Sequence, residues 1–466
     1  VWIGTGGLFR QWHPKNRNFT TFFETGLDYQ GRLMKIQSVR GTRDFYPEDM
    51  ALRQWLVDEW RRASRRAGFV EVDGPELEPL ELYTEKSGAE ISEQLYWLTD
   101  KSDRKLALRP EFTPTLARMI AARQATLPEP IRWFNISRCF RYERAQKGRQ
   151  REFFQWNIDL VGVEGEIGDA ECISIAVDAL RSCGLTPQDV TVKINDRRLL
   201  NCFVISYMGL DSESAPVLMP KIFAILDKKD KLPRETLLAM AVELGLDSVY
   251  CNRLEVIIDE HCTLEDIERT IELSPMPAET AALDSLKRLF ALLDVYGISE
   301  WCRFDLGIVR GLAYYTGPVW EVHDLKGEHR AIFGGGRYDK LIGGMGGKAM
   351  PACGFGCGDV VLGMVLAECG KAPPLEPPAE YFVASAIEGN WADLLTVVRH
   401  LRGRGLNTQF DLKGGNMKRQ MKKAAEAGAR QVVIIGERFG EKSHVVTVRD
   451  MASGDQQEMA LEDVGK

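Results

Sequence analysis

"RCFRYERAQKGRQREFFQWNIDLVG", residues 138–162, decides how the rest of the chain is read. Its first fifteen residues carry six basic side chains, Arg138, Arg141, Arg144, Lys147, Arg149 and Arg151, against two acids, Glu143 and Glu152. The whole chain of 466 residues has the opposite sign, with a net charge of −7. A local excess of cations in an acidic protein is either a solvated face or the seat of an anion, and the flanking residues favour the anion. On a period of two, Phe154, Trp156, Ile158 and Leu160 point one way and Phe153, Gln155, Asn157 and Asp159 the other. The preceding run sorts alike, with Phe140 and Tyr142 opposite Arg141 and Glu143. Two such strands make one wall of a polar cleft. Residues 144–151 connect them, too many for a tight hairpin turn. Arginine presents a planar fork to phosphate oxygens, so a cationic loop over a polar floor suits a polyphosphate.

The remaining composition is that of an ordinary globular protein with a large core, 44% hydrophobic and 27% charged. The length suggests roughly three domains. No apolar run reaches the roughly 18 residues of a membrane-spanning helix. Ten cysteines are scattered without a CxxC pair among six dispersed histidines, which predicts neither a zinc site nor a disulfide framework. A reduced, cytoplasmic protein is expected. Residues 1–33 lack both a sustained period and the apolar stretch of a secretory signal, and read as a disordered extension ahead of Met34.

Further on, "APPLEPPAE" at 372–380 is a proline-rich linker. Beyond it, strands "YFVASA", "LNTQFDL" and "QVVIIG" alternate with helices near 391–404 and 416–427, a small, mainly parallel α/β domain. The second helix turns Met417, Met421 and Ala424 inward and leaves Lys418, Arg419, Lys422 and Lys423 on other faces, either solvated or facing RNA. Before the linker, a long amphipathic helix is expected near 48–67, antiparallel strands over 131–162 and 303–324, and a helical insertion over 197–298.

Three more stretches carry candidate chemistry. "LALRPEFTPTLAR" (106–118) sets Arg109 and Glu111 at a strand-to-helix junction as an exposed-looking charge pair, where a carboxylate could hold an amino group. "FDLGIVRGLAYYTGPVWEV" (304–322) reads locally as a bulged hairpin with core tyrosines. "AIFGGGRYDKLIGGMGGKAMPACGFGCGDVVLGMVL" (331–366) is rich in glycines that allow close backbone approach to a ligand, with a strand-to-helix transition near Gly358. It matches no Walker A or dinucleotide fingerprint.

In this order the four stretches resemble a class II aminoacyl-tRNA synthetase, and specifically the histidyl-tRNA synthetases, over about 35–455. "FRYERAQKGRQREFFQ" resembles motif 2, "VRGLAYYTG" the histidine-specific peptide, and "GFGCGDVVLG" motif 3. "RGTRDFYPED" with the Pro75 segment is similar to the dimer-forming motif 1. The resemblance implies an α+β fold: an antiparallel sheet flanked by helices, a helical insertion and a C-terminal α/β anticodon-binding domain. The implied domains are a catalytic part at 34–196, the insertion at 197–298, a second catalytic part at 299–371, the linker, and 381–466. It also implies a homodimer that uses ATP, Mg²⁺, L-histidine and tRNA(His).

The same resemblance assigns roles. Arg141 would meet the α-phosphate, Glu143 the adenine edge and Arg149 the outer phosphates, while Phe153 stacks on adenine. Glu111 and Thr113 would hold the α-amino group and Gln155 the carboxylate. Asp159 and Tyr315 would line the imidazole pocket, with Tyr314 beside it. Arg310 would be the catalytic cation, acting with Arg141 and Gln155. Arg144, Lys147 and Arg151, with Lys418, Arg419 and Lys422, are the candidate tRNA contacts; no protein-bound metal site is implied. The chain departs from the family at three places. Val361 stands where motif 3 usually ends in an adenine-stacking arginine, Ala313 where an aspartate is usual, and Asp159 where a glutamate is usual. The alternative is the synthetase-like regulatory subunit of ATP phosphoribosyltransferase. Retained Arg310, Glu111 and Arg141, and a full module after the linker, count against it.

Overall fold

The computed structural model describes residues 37–84, 94–143, 146–226, 232–259, 263–273, 277–308, 314–373, 379–437, 439–440 and 444–466. The extension expected at 1–33 and residues 374–378 of the proline-rich segment lie outside these. Two compact units divide the chain, 1–372 and 373–466.

In the first unit the strands are β1 (Val70–Glu71), β2 (Leu77–Pro79), β3 (Trp97–Thr99), β4 (Lys105–Leu108), β5 (Ile131–Phe140) and β6 (Glu152–Val161). Then come β7 (Val190–Asp196), β8 (Cys302–Phe304), β9 (Pro318–Asp324), β10 (Phe333–Arg337) and β11 (Ala352–Gly358). Eight of them form one sheet in the order β1-β5-β6-β11-β10-β9-β7-β8, and β2-β4-β3 form a small second sheet. The large sheet is antiparallel except at its edges, where β1 runs parallel to β5 and β8 to β7. The alternation in 131–162 is realised as the antiparallel pair β5/β6. The hairpin read locally at 304–322 is corrected: β7 lies between β8 and β9. A local pattern identifies strands but not a partner more than a hundred residues away in sequence.

The back of the sheet is apolar. Trp156 stacks on Trp60 of the helix Pro47–Arg66 at 5.9 Å and meets Phe355 edge-on at 4.8 Å. The Trp156 indole N–H donates to buried Ser64 Oγ at 2.9 Å, so its polar tip is satisfied. The helix Glu166–Ser182 covers the same face, and the helices of 197–298 continue one apolar core with it through Leu199, Leu286 and Leu289. The described residues of 197–298 are mostly helical, and their core merges with that of the sheet.

The opposite face of the sheet is the cleft. Gly354, Gly356 and Gly358 of β11 pair with Asp159, Asn157 and Gln155 of β6. The glycines at 333–337 and 352–358 therefore sit in strands, and their missing side chains leave room for the polar side chains of the neighbouring strand. A Cβ on Gly356 would collide with the Gln155 amide, and one on Gly336 would stand 2.9 Å from the Tyr315 ring. A Cβ on Gly354 would collide with Ile158 O and lie 2.9 Å from Tyr338 Oη. Gly354→Ala is expected to cost about 1–3 kcal/mol through forced strand displacement. Thermal unfolding checks this, and an unchanged Tm would mean the sheet opens without cost.

The second unit has strands β12 (Tyr381–Ser385), β13 (Thr408–Phe410), β14 (Gln431–Ile435), β15 (Val445–Asp450) and β16 (Gln456–Ala460), ordered β13-β12-β14-β15-β16. The first three are parallel, as the alternation of strands and helices predicts, and the last two add an antiparallel extension. The helix Trp391–Gly403 buries Val397 and Leu401 against Val383 and Val433, while the helix Met417–Glu426 sets Ala424 against Phe382 and Val432. Alternate residues of β12 thus feed two cores, one on each face. No helix among the described residues is long and apolar enough to cross a membrane.

Candidate active site

One cleft gathers most of the residues singled out from sequence: Glu111, Thr113, Arg141, Glu143, Arg149, Phe153, Gln155, Tyr314 and Tyr315 all line it. Arg310 lies outside the described residues, as do Arg144 and Ala313.

At one end are carboxylates and phenols. Glu111 is buried, which corrects its reading as half of an exposed pair, and it accepts a hydrogen bond from Tyr314 Oη at 3.0 Å. Arg109 is buried as well and pairs elsewhere, donating to Asp73 Oδ1, Gly74 O and Arg138 O at 2.9 Å each. It braces the junction, and Glu111 faces the cleft. Thr113 opens the helix Thr113–Arg123 beside it. Gln155 donates to Asn157 Oδ1 at 2.7 Å across the floor.

Asp159 lies deeper, almost wholly buried beneath Tyr338, whose hydroxyl donates to Oδ1. Its other oxygen is buried without a hydrogen-bond partner among the described residues. Burial, and secondarily the Glu111 charge, push the Asp159 carboxyl up to about 7, against the lowering effect of the Tyr338 bond. Folded protein thus holds a proton that the unfolded chain releases near its ordinary value of 3.8. Stability therefore falls as pH rises from about 4 to 7, because the unfolded state sheds its proton first. Asp159→Asn should leave stability unchanged near pH 4 and raise it over the parent progressively toward pH 8, by an amount on the order of 2–4 kcal/mol, seen as a higher Tm. Equal Tm at both pH values would place the carboxylate in contact with water.

The other end is cationic. Arg141, just past β5, donates to Pro110 O at 3.0 Å and lies 5.2 Å from the Phe153 ring centre. Arg149 Nε meets Glu143 Oε2 at 3.1 Å, and a short bridge between Gln146 and Arg149 folds the lid back on itself. The other lid cations brace the loop. Arg151 donates to Glu143 O and stacks on exposed Tyr142 at 4.4 Å, while Lys147 approaches Glu368 at 3.7 Å. Tyr142, read as part of the greasy face, is thus a surface ring. In the second unit, Lys418, Arg419 and Lys422 point to solvent; Arg419 pairs with Asp411 at 3.0 Å and Lys422 with Glu426 at 3.7 Å.

The family model of histidyl-tRNA synthetase matches residues 41–358, and that of an anticodon binding domain matches 390–466. A histidine–tRNA ligase of Opitutus terrae is 39% identical over 435 residues, covering 92% of this chain and 97% of that relative. The chain belongs to the histidyl-tRNA synthetase family. A chloroplastic/mitochondrial histidine–tRNA ligase of Arabidopsis thaliana is 38% identical over 92% of this chain and 86% of its own. Among solved structures, a histidyl-tRNA synthetase from Nostoc matches with a TM-score of 0.75 at 24% identity, over 92% and 98% of the two chains, a likeness of fold.

Within this histidyl-tRNA synthetase cleft, five polar lining residues escaped the sequence reading as site residues: Gln150, Asn157, Glu321, Arg330 and Tyr338. Asn157 was legible as part of the polar face of β6. Tyr338 follows the glycine strand β10, which reads as a loop; Glu321 stands at the end of the 304–322 stretch, on β9, without an assigned role, and Arg330 belongs to a segment without a motif.

Proposed function

We propose that the chain activates L-histidine with ATP to histidyl-adenylate and transfers the histidyl group to the 3′ end of tRNA(His). The observation that carries this reading is one continuous cleft. Buried Glu111 lies at one end with Tyr314, Tyr315 and Tyr338, the last covering Asp159 beneath the cleft, and Arg141, Arg149 and Phe153 lie at the other. Glu111 and Thr113 hold the α-amino group, and Gln155 orients the carboxylate. The buried Asp159 oxygen and Tyr338 give an imidazole N–H its acceptors. A site built on such hydrogen bonds rejects analogues that lack them by roughly 10⁴-fold.

A histidine carboxylate oxygen bonds to the α-phosphorus of ATP while the bond to the β-phosphate oxygen breaks and pyrophosphate departs. Positioning and charge cancellation do most of the work in such a transfer. Arg141 and Arg310 supply the cations at the reacting phosphate, and Arg149 leaves Glu143 for the outer phosphates as Glu143 turns to the adenine edge. Glu321, a carboxylate in the cleft lining, would offer a hard oxygen donor to Mg²⁺ on the triphosphate. The ion, when bound, cancels charge between the phosphates.

The reading includes a homodimer, supported by the likeness of residues 40–49 and the Pro75 segment to motif 1, and a cytoplasmic location, supported by cysteines that form no disulfide among the described residues. A structure titled an ATP phosphoribosyltransferase regulatory subunit/histidyl-tRNA synthetase, from Bacillus halodurans, shares the fold at 22% identity. The anticodon-binding domain at 390–466 favours the ligase.

Pyrophosphate exchange into ATP tests the proposal. Exchange should require histidine, and exchange that is absent with histidine or indifferent to it overturns the reading. The tRNA step is tested separately. Lys418→Ala combined with Lys422→Ala should slow charging by about 3–10-fold through lost phosphate contacts while exchange stays at the parent rate. Equal loss in both assays would remove these lysines from RNA binding.

A further inference from the structure

Val361 presents no cation to the nucleotide end of the cleft, yet a third arginine stands there. Arg330 comes from the connection between β9 and β10, and its side chain remains open to solvent within the cleft. It makes no ion pair or hydrogen bond with its guanidinium among the described residues. Gly148 of the lid fixes its position relative to Val361. A Cβ there would stand 3.4 Å from Val361 Cγ2 and 3.7 Å from Arg330 Cδ, so both side chains border the same small space. Phe153 lines the same cleft, its ring 3.8 Å from where a Cβ of Gly358 would be. Phe153 and Val361 are apolar, and Gly148 withholds a side chain. Together they make the apolar part of the cleft, a slot with the Arg330 side chain on its border.

We propose that Arg330 closes this slot over the purine base of the nucleotide, stacking its guanidinium on the face opposite Phe153. It supplies from the β9–β10 connection the cation that position 361 lacks. The inference rests on the reading of the cleft as an ATP site. The surroundings agree with it. Partial desolvation by the surrounding cleft wall, with the nearby charges of Arg149 and Arg141, lowers the Arg330 pKa although the side chain keeps contact with solvent, and Glu143 and Glu321 act against them. A cation crowded by two others gains from a ligand that brings electron density.

Arg330→Ala should raise the KM for ATP in histidine-dependent exchange about 5–30-fold, with the KM for histidine and the Tm unchanged. Arg330→Lys should recover only part of the loss, because an ammonium has no plane to stack. Val361→Arg placed in the Arg330→Ala background should restore ATP affinity, which a merely structural role for Arg330 would not allow. Adenosine, a competitor without phosphates, separates base from phosphate contact, and its inhibition constant should weaken in parallel with the KM for ATP. A weakened ATP with unchanged adenosine places Arg330 on the phosphates and overturns the stacking. An ATP KM within about twofold of the parent overturns the proposal altogether. A parent enzyme without histidine-dependent exchange overturns the reading of the cleft itself, and is distinguished by failing before any substitution is made.

Discussion

Arg141→Ala is expected to lower histidine-dependent ATP–pyrophosphate exchange by about 10²–10³-fold, mainly in kcat. The cations of the motif 2 region differ in what already occupies them. Arg138 is paired with Glu152 at 3.2 Å, Arg149 with Glu143 and Lys147 with Glu368. Arg141 makes no carboxylate pair among the described residues. One nitrogen is anchored on Pro110 O, which aims the remaining fork along the cleft above Phe153. That arrangement leaves its charge for a ligand, and an aimed fork is of most use where charge grows during the reaction. Arg141→Lys should recover little, since an ammonium lacks the planar fork that anchors one nitrogen on Pro110 O while aiming the others at a phosphate. Arg138→Ala is the control, because losing an ion pair at the surface costs at most about 1 kcal/mol and should leave exchange near the parent rate. Loss of less than about tenfold in Arg141→Ala would move the developing charge to other residues.

How much of this was legible in the chain depends on how far each residue's partner lies along it. The alternation of 152–161 is a local signal, and β6 places Gln155, Asn157 and Asp159 on one face as read. Met417, Met421 and Ala424 turn inward for the same reason, that a helix repeats within four residues. Arg109 and Glu111 read as a surface pair because the carboxylate that neutralises Arg109, Asp73, lies 36 residues upstream. The glycine strands were opaque for a different cause. Glycine has poor strand propensity, and β10 and β11 are specified by neighbours whose side chains need the space. Arg330 sits in a connection with no period at all. The one signal that could have pointed to it was the missing cation at Val361, which left a role waiting for an arginine from elsewhere in the chain.

Asp169→Ala should cost about 3–5 kcal/mol, because it leaves a buried guanidinium without its carboxylate. Arg337 ends β10 and reaches through to the back of the sheet, where its Nε and Nη2 grip Asp169 Oδ2 at 2.9 and 2.7 Å. Both side chains are almost fully buried, and Val163 O, Gly165 O and Asp339 Oδ1 accept the remaining donors. The neighbouring carboxylate raises the Arg337 pKa, so the guanidinium stays charged and must be answered. The site depends on the same anchor. Arg337 O accepts from Thr316 N at 2.8 Å, the next residue is Tyr338 over Asp159, and Asp339 Oδ1 accepts from Ala352 N at 3.0 Å. Releasing Arg337 therefore loosens the tyrosine wall of the cleft along with the sheet. The expected result is a Tm lower by roughly 5–15 °C, with a raised KM for histidine measured well below that temperature. Asp169→Ala combined with Arg337→Met removes both charges and should recover much of the stability, since an apolar pair of similar volume can replace a buried ion pair at little cost. It should not recover the KM, because a thioether side chain has no donor with which to hold Gly165 O and Asp339. A double substitution no more stable than Asp169→Ala alone would mean that the loss comes from the cavity and that the pair itself contributes little.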